Sequence, residues 1–311
     1  MIPDIESTTP RIKLSPNGVN PVWNRYSDSC GVVDNLAIKF LKREFDHSII
    51  EIKGLDVSFV NAIRRILIAE VPSLAIETVM VWQNTGLIHD DVLAHRLALV
   101  PFNVDPEEIN YRGHENLNES NSVCFELKVA HDANCIEKYQ SVYTSQLKWI
   151  PLGDEQHKRL GKNQPRPLFE DILLTKLAPG QQIELKAYLE KGIGRTHAKW
   201  SIVSSATYRF YPHIDISSQL TRDESKELVA TCPMNVFALD HKGNVIVEDP
   251  LKCTSCRACI ERFKQVTITK VTNHFIFSIE TCGPISSWDA FVKSVNILKN
   301  KGDKLKCKLL E

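Results

Sequence analysis

Four cysteines in the last third of the chain have a spacing that suits metal chemistry. Cys232 is followed directly by Pro233, and Cys253, Cys256 and Cys259 form a C-x2-C-x2-C run. Thiolates at this spacing can wrap three corners of one [4Fe–4S] cubane in a tight loop, and a Cys-Pro cysteine can supply the fourth ligand. The proline stiffens the approach of Cys232, because its ring fixes the backbone φ. The sequence therefore predicts one [4Fe–4S] cluster bound by these four residues.

Two other interpretations of the four cysteines stay open. Zinc sites usually pair two C-x2-4-C knuckles, or one knuckle with histidines, and a cysteine triplet fits that arrangement poorly. The four residues could also be an empty structural remnant. A second cluster is not provided for, because Phe263-Lys264 stands where a second Cys-Pro would follow the triplet.

The composition narrows the class of protein. A chain of 311 residues with 43% apolar residues suggests two or three compact units. The 38 basic residues balance the 38 acidic ones, so we expect no direct contact with nucleic acid. Nine cysteines without a disulfide pattern indicate a reducing compartment. No apolar run reaches transmembrane length, so we expect no membrane association.

The first half of the chain alternates between helix, strand and loop patterns. Residues 1–35 are rich in Pro, Ser, Thr and Asn, which predicts an extended arm. Residues 54–58 form a turn with two candidate helix caps, and apolar residues then recur at helical spacing until Pro72. The segment 74–82 reads as a strand. Residues 84–200 alternate polar loops with short β-like runs, as in a separate inserted domain.

The second half returns to regular patterns. The segment 206–211 predicts a strand, and residues 241–244 predict a hairpin turn before a strand at 245–247. Residues 274–280 alternate as a strand. The residues from Ile285 to Leu298 then repeat as one apolar stripe of a final helix.

Three separated motifs resemble the RNA polymerase α-subunit family. The stretch NAIRRIL at 61–67, followed by Glu-Val-Pro at 70–72, resembles its α motif. The stretch HRLALVP at 95–101 is similar to the family's H-R-L-G-L-I-P, with Ala98 in place of a glycine. Residues 192–211 resemble the return into the dimerisation domain of archaeal and eukaryotic members. The cysteine segment resembles the ferredoxin-like insertion of archaeal members.

The resemblance implies an α+β fold. It consists of a discontinuous α-type dimerisation domain, a loop-rich inserted domain that contains β-structure, and a small ferredoxin-like insertion. The expected boundaries are an extended arm at 1–35, dimerisation domain at 36–83, 201–226 and 266–311, inserted domain at 84–200, and ferredoxin-like insertion at 227–265.

The resemblance also implies partners and the residues that bind them. A smaller α-like subunit would pair with this chain as a heterodimer through apolar helices. The largest and second-largest polymerase subunits and small zinc-binding subunits would dock on it. The adjacent arginines of the motif would hold carboxylates or carbonyls of a large subunit. The implied partner-binding residues are Phe59, Asn61, Ile63, Arg64, Arg65, Ile66, Leu67, Trp288, Phe291, Val292 and Val295.

Within the family, the chain looks like the eukaryotic branch that RNA polymerases I and III share. The implied role is a non-catalytic assembly platform for rRNA, 5S rRNA and tRNA synthesis, in the nucleus including the nucleolus. The polymerase II branch is disfavoured, because residues 84–200 hold only Cys124 and Cys135 where that branch clusters cysteines around zinc. The archaeal branch is the alternative, with the same role in a cytoplasm. A more distant alternative is an iron–sulfur electron carrier.

Overall fold

The computed structural model describes residues 12–15, 18–21, 36–217 and 220–310. Of the arm predicted at 1–35, only residues 12–15 and 18–21 are described, and the others lie outside the described residues. The helices are α1 (Val57–Ala69), α2 (Asp90–Ala98), α3 (Asp154–Leu160), α4 (Arg222–Thr231), α5 (Ala258–Arg262) and α6 (Ser287–Leu310). The strands are β1 (Ile12–Ser15), β2 (Gly18–Pro21), β3 (Ala37–Arg43), β4 (His47–Lys53), β5 (Pro72–Asn84), β6 (Ser122–Ala130), β7 (Gln140–Tyr143), β8 (Lys148–Ile150), β9 (Leu173–Leu177), β10 (Gln182–Ile193), β11 (Val203–Ile216), β12 (Phe237–Leu239), β13 (Val245–Val247) and β14 (Val266–Thr281).

The strands form two four-stranded sheets and three two-stranded ones among the described residues. One large sheet has the order β5-β10-β6-β8, and the other has the order β11-β14-β4-β3. The small sheets are β1-β2, β7-β9 and β12-β13. Helices and strands are thus mixed, in an architecture compatible with the expected α+β class. No helix in the described part of the chain is long and apolar enough to cross a membrane.

Internal contacts divide the chain into two compact units. The first unit draws its described residues from 1–40, 50–60 and 208–277, and the second from 41–49, 61–207 and 278–311. This division does not follow the expected domain boundaries, which stay a prediction.

Helix α1 begins where the sequence predicts a cap. Gly54 adopts a positive φ of 77°, and its N–H donates to the carbonyl of Asn273 at 2.8 Å. The Asp56 carboxylate then accepts a hydrogen bond from the Ser58 N–H at 2.7 Å, as an N-cap does. The helix ends at Ala69, before Pro72 opens the next strand. The predicted helix and its start are confirmed.

Strand β5 joins the sheet of the second unit. It pairs antiparallel with β10 from Asn84 to Pro72, and Val123, Phe125 and Leu127 of β6 line the core beneath. Buried residues of α2 and β9 complete this core. The expected division placed this strand in the first part of the dimerisation domain, but its long-range partner is a strand of the region predicted to be inserted.

Helix α6 is anchored at its start by serines. Ser287 donates its N–H to the Phe45 carbonyl at 2.8 Å and its hydroxyl to the Glu44 carbonyl at 3.1 Å. Its hydroxyl also lies 2.7 Å from that of Ser48. The Ser286 hydroxyl accepts from the Asp289 N–H at 3.1 Å and caps the first turn. The predicted final helix is confirmed, and it runs twelve residues beyond Leu298.

Trp200 closes one end of the β5-β10 pair. Its indole N–H donates to the Glu190 carbonyl at 3.0 Å, and its own carbonyl accepts from the Ser73 hydroxyl at 2.7 Å. Gly192 lies against its ring, since a Cβ at that position would be 2.3 to 2.7 Å from three ring atoms. Only glycine leaves room for this buried indole.

Gly192→Ala is expected to lower the free energy of unfolding by about 1–3 kcal/mol, because the methyl group must displace Trp200. Gly283→Ala is the control, since a Cβ there meets no atom within 4 Å. Urea or thermal melts of both variants and the wild type measure the difference. Equal losses of unfolding free energy in the two variants would show that the contact with Trp200 does not limit the size of the side chain at residue 192.

In the first unit, Glu51, His274 and Tyr211 form a polar row across three neighbouring strands of the other large sheet, β4, β14 and β11. His274 Nε2 lies 2.7 Å from the Glu51 carboxylate, and the Tyr211 ring stacks on the imidazole at 4.1 Å. Burial lowers the pKa of His274, and the bond to Glu51 opposes this only in part. Burial alone would raise the pKa of Glu51, but the bonds from Lys53 and His274 outweigh it and hold that pKa below its usual value.

Acidification is expected to destabilise this row, starting with His274. The unfolded chain takes up a proton near the ordinary histidine pKa of 6.5, whereas the folded imidazole resists it. Stability from this residue is therefore present above pH 6.5 and is lost as the pH falls through that value. The difference in melting temperature between wild type and His274→Gln should shrink from pH 7.5 to pH 5.5. A constant difference across that window would contradict the assignment.

Candidate subunit interface and cysteine site

The motif arginines of α1 have different surroundings. Asn61 accepts hydrogen bonds on its side-chain oxygen from Arg64 Nε at 3.1 Å and Nη2 at 2.9 Å. This contact spans one helical turn and holds the half-buried Arg64 guanidinium along the helix surface. Arg65 is exposed. Arg65 is therefore the arginine whose whole fork is accessible to a partner.

The apolar residues predicted on α1 separate into core and surface. Ile63, Ile66 and Leu67 are 5%, 3% and 1% exposed, so they belong to the core of their own chain. Phe59 is 37% exposed, and Ile68, which the sequence did not single out, is 39% exposed. Direct contact of the three buried residues with a partner would require the helix to move, whereas Phe59 is accessible as it stands.

The predicted stripe of α6 divides in the same way. Phe291 is buried and stacks on the half-buried Trp288 at 5.4 Å. Val292 and Val295 are 37% and 39% exposed. Two of the four residues predicted on this helix therefore present apolar surface outward.

Helix α6 continues beyond this stripe to Leu310, and its last part is exposed. Every side chain from Lys299 to Leu309 is exposed, including the large apolar Leu305 and Leu309. Leu305 and Leu309 therefore leave most of their apolar surface uncovered by their own chain.

The second motif contributes a structural arginine. Arg96 in α2 donates from Nε to the Leu174 carbonyl at 3.0 Å and from Nη2 to the Leu173 carbonyl at 2.7 Å. It therefore fastens α2 to β9. Sequence reasoning found this motif by resemblance alone, because the two carbonyls lie almost eighty residues away along the chain.

The four predicted cluster ligands lie in one lobe of the first unit. Cys232 directly follows α4, Cys253 follows a 3-10 turn at Pro250–Lys252, and Cys259 lies in α5. Cys253, Cys259 and the half-buried Cys232 belong to a single small apolar core, whereas Cys256 is exposed in the loop between them. The hairpin predicted at 241–244 joins β12 to β13 within this lobe, as the sequence indicates.

The loop that carries the triplet has an unusual backbone. Ser255 and Arg257 have positive φ values of 58° and 70°, a conformation that non-glycine residues seldom adopt. The Ser255 N–H donates to Cys253 Sγ at 3.4 Å, and the Val236 N–H donates to Cys232 Sγ at 3.5 Å. Left-handed residues turn the loop sharply around its own sulfur atoms, and the amide donors suit thiolates that carry negative charge.

The electrostatics of the triplet indicate mutual proximity. Burial raises the pKa of Cys259 most, and the neighbouring thiols of Cys253 and Cys256 raise it further. The four thiol donors, with amide hydrogen bonds to two of their sulfur atoms, are of the chemical kind that binds an iron–sulfur cluster.

A single metal ion is a different case. Among the described residues, no group of three or more His, Cys, Asp or Glu side chains is placed to hold one ion. Four thiolates around a cubane are further apart than ligands of one ion, because each binds a different iron. The identity of any bound metal stays a prediction.

One further residue supports the cysteine loop. Arg209 in β11 donates from Nη1 to the Cys253 carbonyl at 3.1 Å and from Nη2 to the Leu251 carbonyl at 2.6 Å. The planar guanidinium holds two carbonyls of one turn in a fixed geometry, which the rotatable ammonium of a lysine would not impose. Nothing in the sequence near residue 209 indicates this contact, because the two positions are separated by more than forty residues.

Comparison with known proteins identifies relatives that match most of the chain. The family model described as the RNA polymerase Rpb3/Rpb11 dimerisation domain matches residues 49–301. A protein from Dictyostelium discoideum named DNA-directed RNA polymerases I and III subunit rpac1 is 34% identical, over 96% of this chain and 93% of its own length.

Two other relatives extend the comparison. The DNA-directed RNA polymerases I and III subunit RPAC1 of Saccharomyces cerevisiae is 37% identical, over 81% of each chain. The archaeal DNA-directed RNA polymerase subunit Rpo3 of Methanothermobacter thermautotrophicus is 34% identical, over 82% of this chain and 91% of its own length. Together with the motif helix and the outward-facing end of α6, these matches establish that the chain belongs to the family of RNA polymerase subunits that share the Rpb3/Rpb11 dimerisation domain.

Proposed function

We propose that this chain is the α-like assembly-platform subunit of DNA-directed RNA polymerases I and III and has no catalytic role of its own. The observation that supports this most directly is the match to the Dictyostelium discoideum subunit over 96% of the chain. The archaeal alternative is weaker, because the archaeal Rpo3 relatives match 82 to 86% of the chain at 30 to 34% identity, whereas the Dictyostelium discoideum subunit matches 96% at 34%. A platform subunit of these polymerases would act in the nucleus, and in the nucleolus where rRNA is made.

Different surfaces of the chain would bind different partner subunits. A smaller α-like subunit binds as the heterodimer partner, and the exposed Val292 and Val295 of α6 are the apolar groups that support this contact. The exposed Phe59 of α1 would add apolar surface to this contact, and the exposed Arg65 would hold carboxylates or carbonyls of a large subunit. Small zinc-binding polymerase subunits complete the set of partners.

The proposed domain organisation has one discontinuous dimerisation domain and a ferredoxin-like insertion. The separate core of the cysteine lobe, with α4, α5 and the β12-β13 hairpin, supports the insertion. Cys232, Cys253, Cys256 and Cys259 would hold one [4Fe–4S] cluster in it. When bound, the cluster would cross-link separate segments of a lobe whose apolar core is small. Its proposed role is structural.

The interface proposal predicts a loss of partner binding from surface changes that leave the core intact. Val292→Asp and Val295→Asp should each weaken binding of the smaller α-like subunit at least tenfold, because a carboxylate would be desolvated in the apolar contact. Ile136→Asp is the control, since its side chain is fully exposed at 102% and lies outside both helices. Co-expression with the smaller subunit, followed by size-exclusion chromatography and titration, measures binding. Normal binding by both valine variants would place the interface elsewhere.

The cluster proposal predicts about four iron atoms and four sulfides per chain after anaerobic purification. Cys256→Ser should lose the iron and make the segment 227–265 sensitive to protease, because one of four cross-links is gone. Cys307→Ser replaces another exposed cysteine and should change neither property.

The metal content also separates the alternatives. About one zinc per chain without sulfide would favour the zinc interpretation. No metal, with normal assembly of Cys256→Ser, would mean that the four cysteines are a remnant. An electron carrier would instead purify with a reductase, without the large polymerase subunits.

A further inference from the structure

Arg209 belongs to a different part of the fold from the cysteine segment that it contacts. It lies on β11, outside the segment 227–265 that holds the four proposed cluster ligands. Its Nη1 donates to the Cys253 carbonyl at 3.1 Å, and its Nη2 donates to the Leu251 carbonyl at 2.6 Å. The guanidinium therefore holds the backbone of a proposed ligand residue and leaves its sulfur atom free.

The strand that carries Arg209 is anchored on its opposite face. Side chains alternate across a strand, so Tyr208 and Phe210 lie on the face opposite to Arg209. Their rings contact the fully buried Phe275 of β14 at centroid distances of 5.9 and 5.0 Å. These residues and the cysteine segment all belong to the first unit. Because the aromatic contacts hold the strand, Arg209 extends from a fixed position.

The loop that Arg209 contacts needs support from outside itself. Ser255 and Arg257 follow Cys253 in left-handed conformations, which cost conformational energy and persist only where the surroundings impose them. The Leu251 and Cys253 carbonyls lie at the end of a 3-10 turn, where carbonyl groups lack partners within the turn. Arg209 supplies those partners, and it fixes the backbone at the point where the cysteine triplet begins.

Arg209 also brings a positive charge to the loop. Among the described residues, the carboxylates that pair with arginines are bound to other arginines, and none of them pairs with Arg209. Four thiolates would bring negative charge to the same place. Net charge and hydrogen bonds around an iron–sulfur cluster set its reduction potential. The guanidinium is therefore placed to affect both the shape of the site and its electrostatics.

We propose that Arg209 is a positioning residue of the cysteine site, through which the sheet of the first unit holds the triplet loop in the shape that binds a cluster. This inference rests on the cluster that the proposed function includes. The site accordingly extends beyond the segment 227–265 and contains a residue of β11. The planar fork of Arg209 orients the loop, and its charge offsets part of the negative charge of the thiolates.

The test separates the fork from the charge in the full-length chain, co-expressed with the smaller α-like subunit. Arg209→Lys keeps the positive charge without the planar fork, and Arg209→Gln removes both. Arg222→Lys and Arg222→Gln are the matched controls, because Arg222 is exposed at the start of α4, ten residues before Cys232. Iron and sulfide content, the rate of iron release to a chelator and the reduction potential of the cluster are measured after anaerobic purification.

Both Arg209 variants are expected to release iron about tenfold faster than the wild type, because residues that orient metal ligands typically change metal affinity by tenfold or more. The reduction potential should fall in Arg209→Gln and stay near the wild-type value in Arg209→Lys. Loss of a nearby positive charge disfavours the reduced cluster, which carries more negative charge. The Arg222 variants should match the wild type in both measurements.

Wild-type rates of iron release in both Arg209 variants would overturn the inference and leave the cluster itself in place. A wild-type rate in Arg209→Lys alone would overturn the role of the fork. A wild type without iron and sulfide would remove the cluster, and the inference with it. If an Arg209 variant purifies without iron, melts of the metal-free proteins decide. Equal melting temperatures of wild type and variant would support positioning, and a lower one in the variant would make Arg209 a general structural contact.

Discussion

A helix at the surface of a compact unit buries only one face in its own chain, and this constraint shapes both candidate interface helices, α1 and α6. On α1, the inward face is occupied by Ile63, Ile66 and Leu67, which are almost fully buried. What remains outside is Phe59, Ile68 and Arg65. Apolar area on that outer face stays in contact with water unless another molecule covers it. Phe59 and Ile68 are therefore the apolar groups of α1 that a bound partner would cover.

The cysteine lobe is subject to a different physical constraint, the small size of its apolar core. Its core consists of few side chains, and two of the buried ones are the thiols Cys253 and Cys259. A small core supplies little stabilisation from apolar burial. The left-handed Ser255 and Arg257 cost conformational energy, and the Arg209 fork helps to hold the loop that contains them.

The sequence predicted those parts of the fold that depend on neighbours in the chain. The cap at Asp56, the hairpin that joins β12 to β13, and the helix from Ser287 are all local, and local patterns were sufficient for them. The pairing of β5 with β10 joins residues about a hundred positions apart, and no periodicity within β5 indicates its partner.

Prediction of the candidate sites from the sequence had the same limit. Sequence spacing identified the four cysteines and the motif helix, but it did not separate buried from exposed members of a stripe. Phe291 and Val292 are neighbours in sequence, and one is buried while the other is half open. That distinction depends on where the rest of the chain packs. The contacts of Arg96 and Arg209 with distant carbonyls were likewise invisible, because a backbone carbonyl has no sequence signature.

The net charge of the whole chain conceals a local concentration of positive charge. The chain is neutral overall, with 38 residues of each sign, and this balance argues against a general affinity for phosphate. The segment 299–308 nevertheless holds five lysines and a single aspartate, all on an exposed helix. Because screened charges act over about one Debye length, a partner senses this segment and not the average. Neutrality of the whole chain is therefore compatible with a locally positive surface at the end of α6.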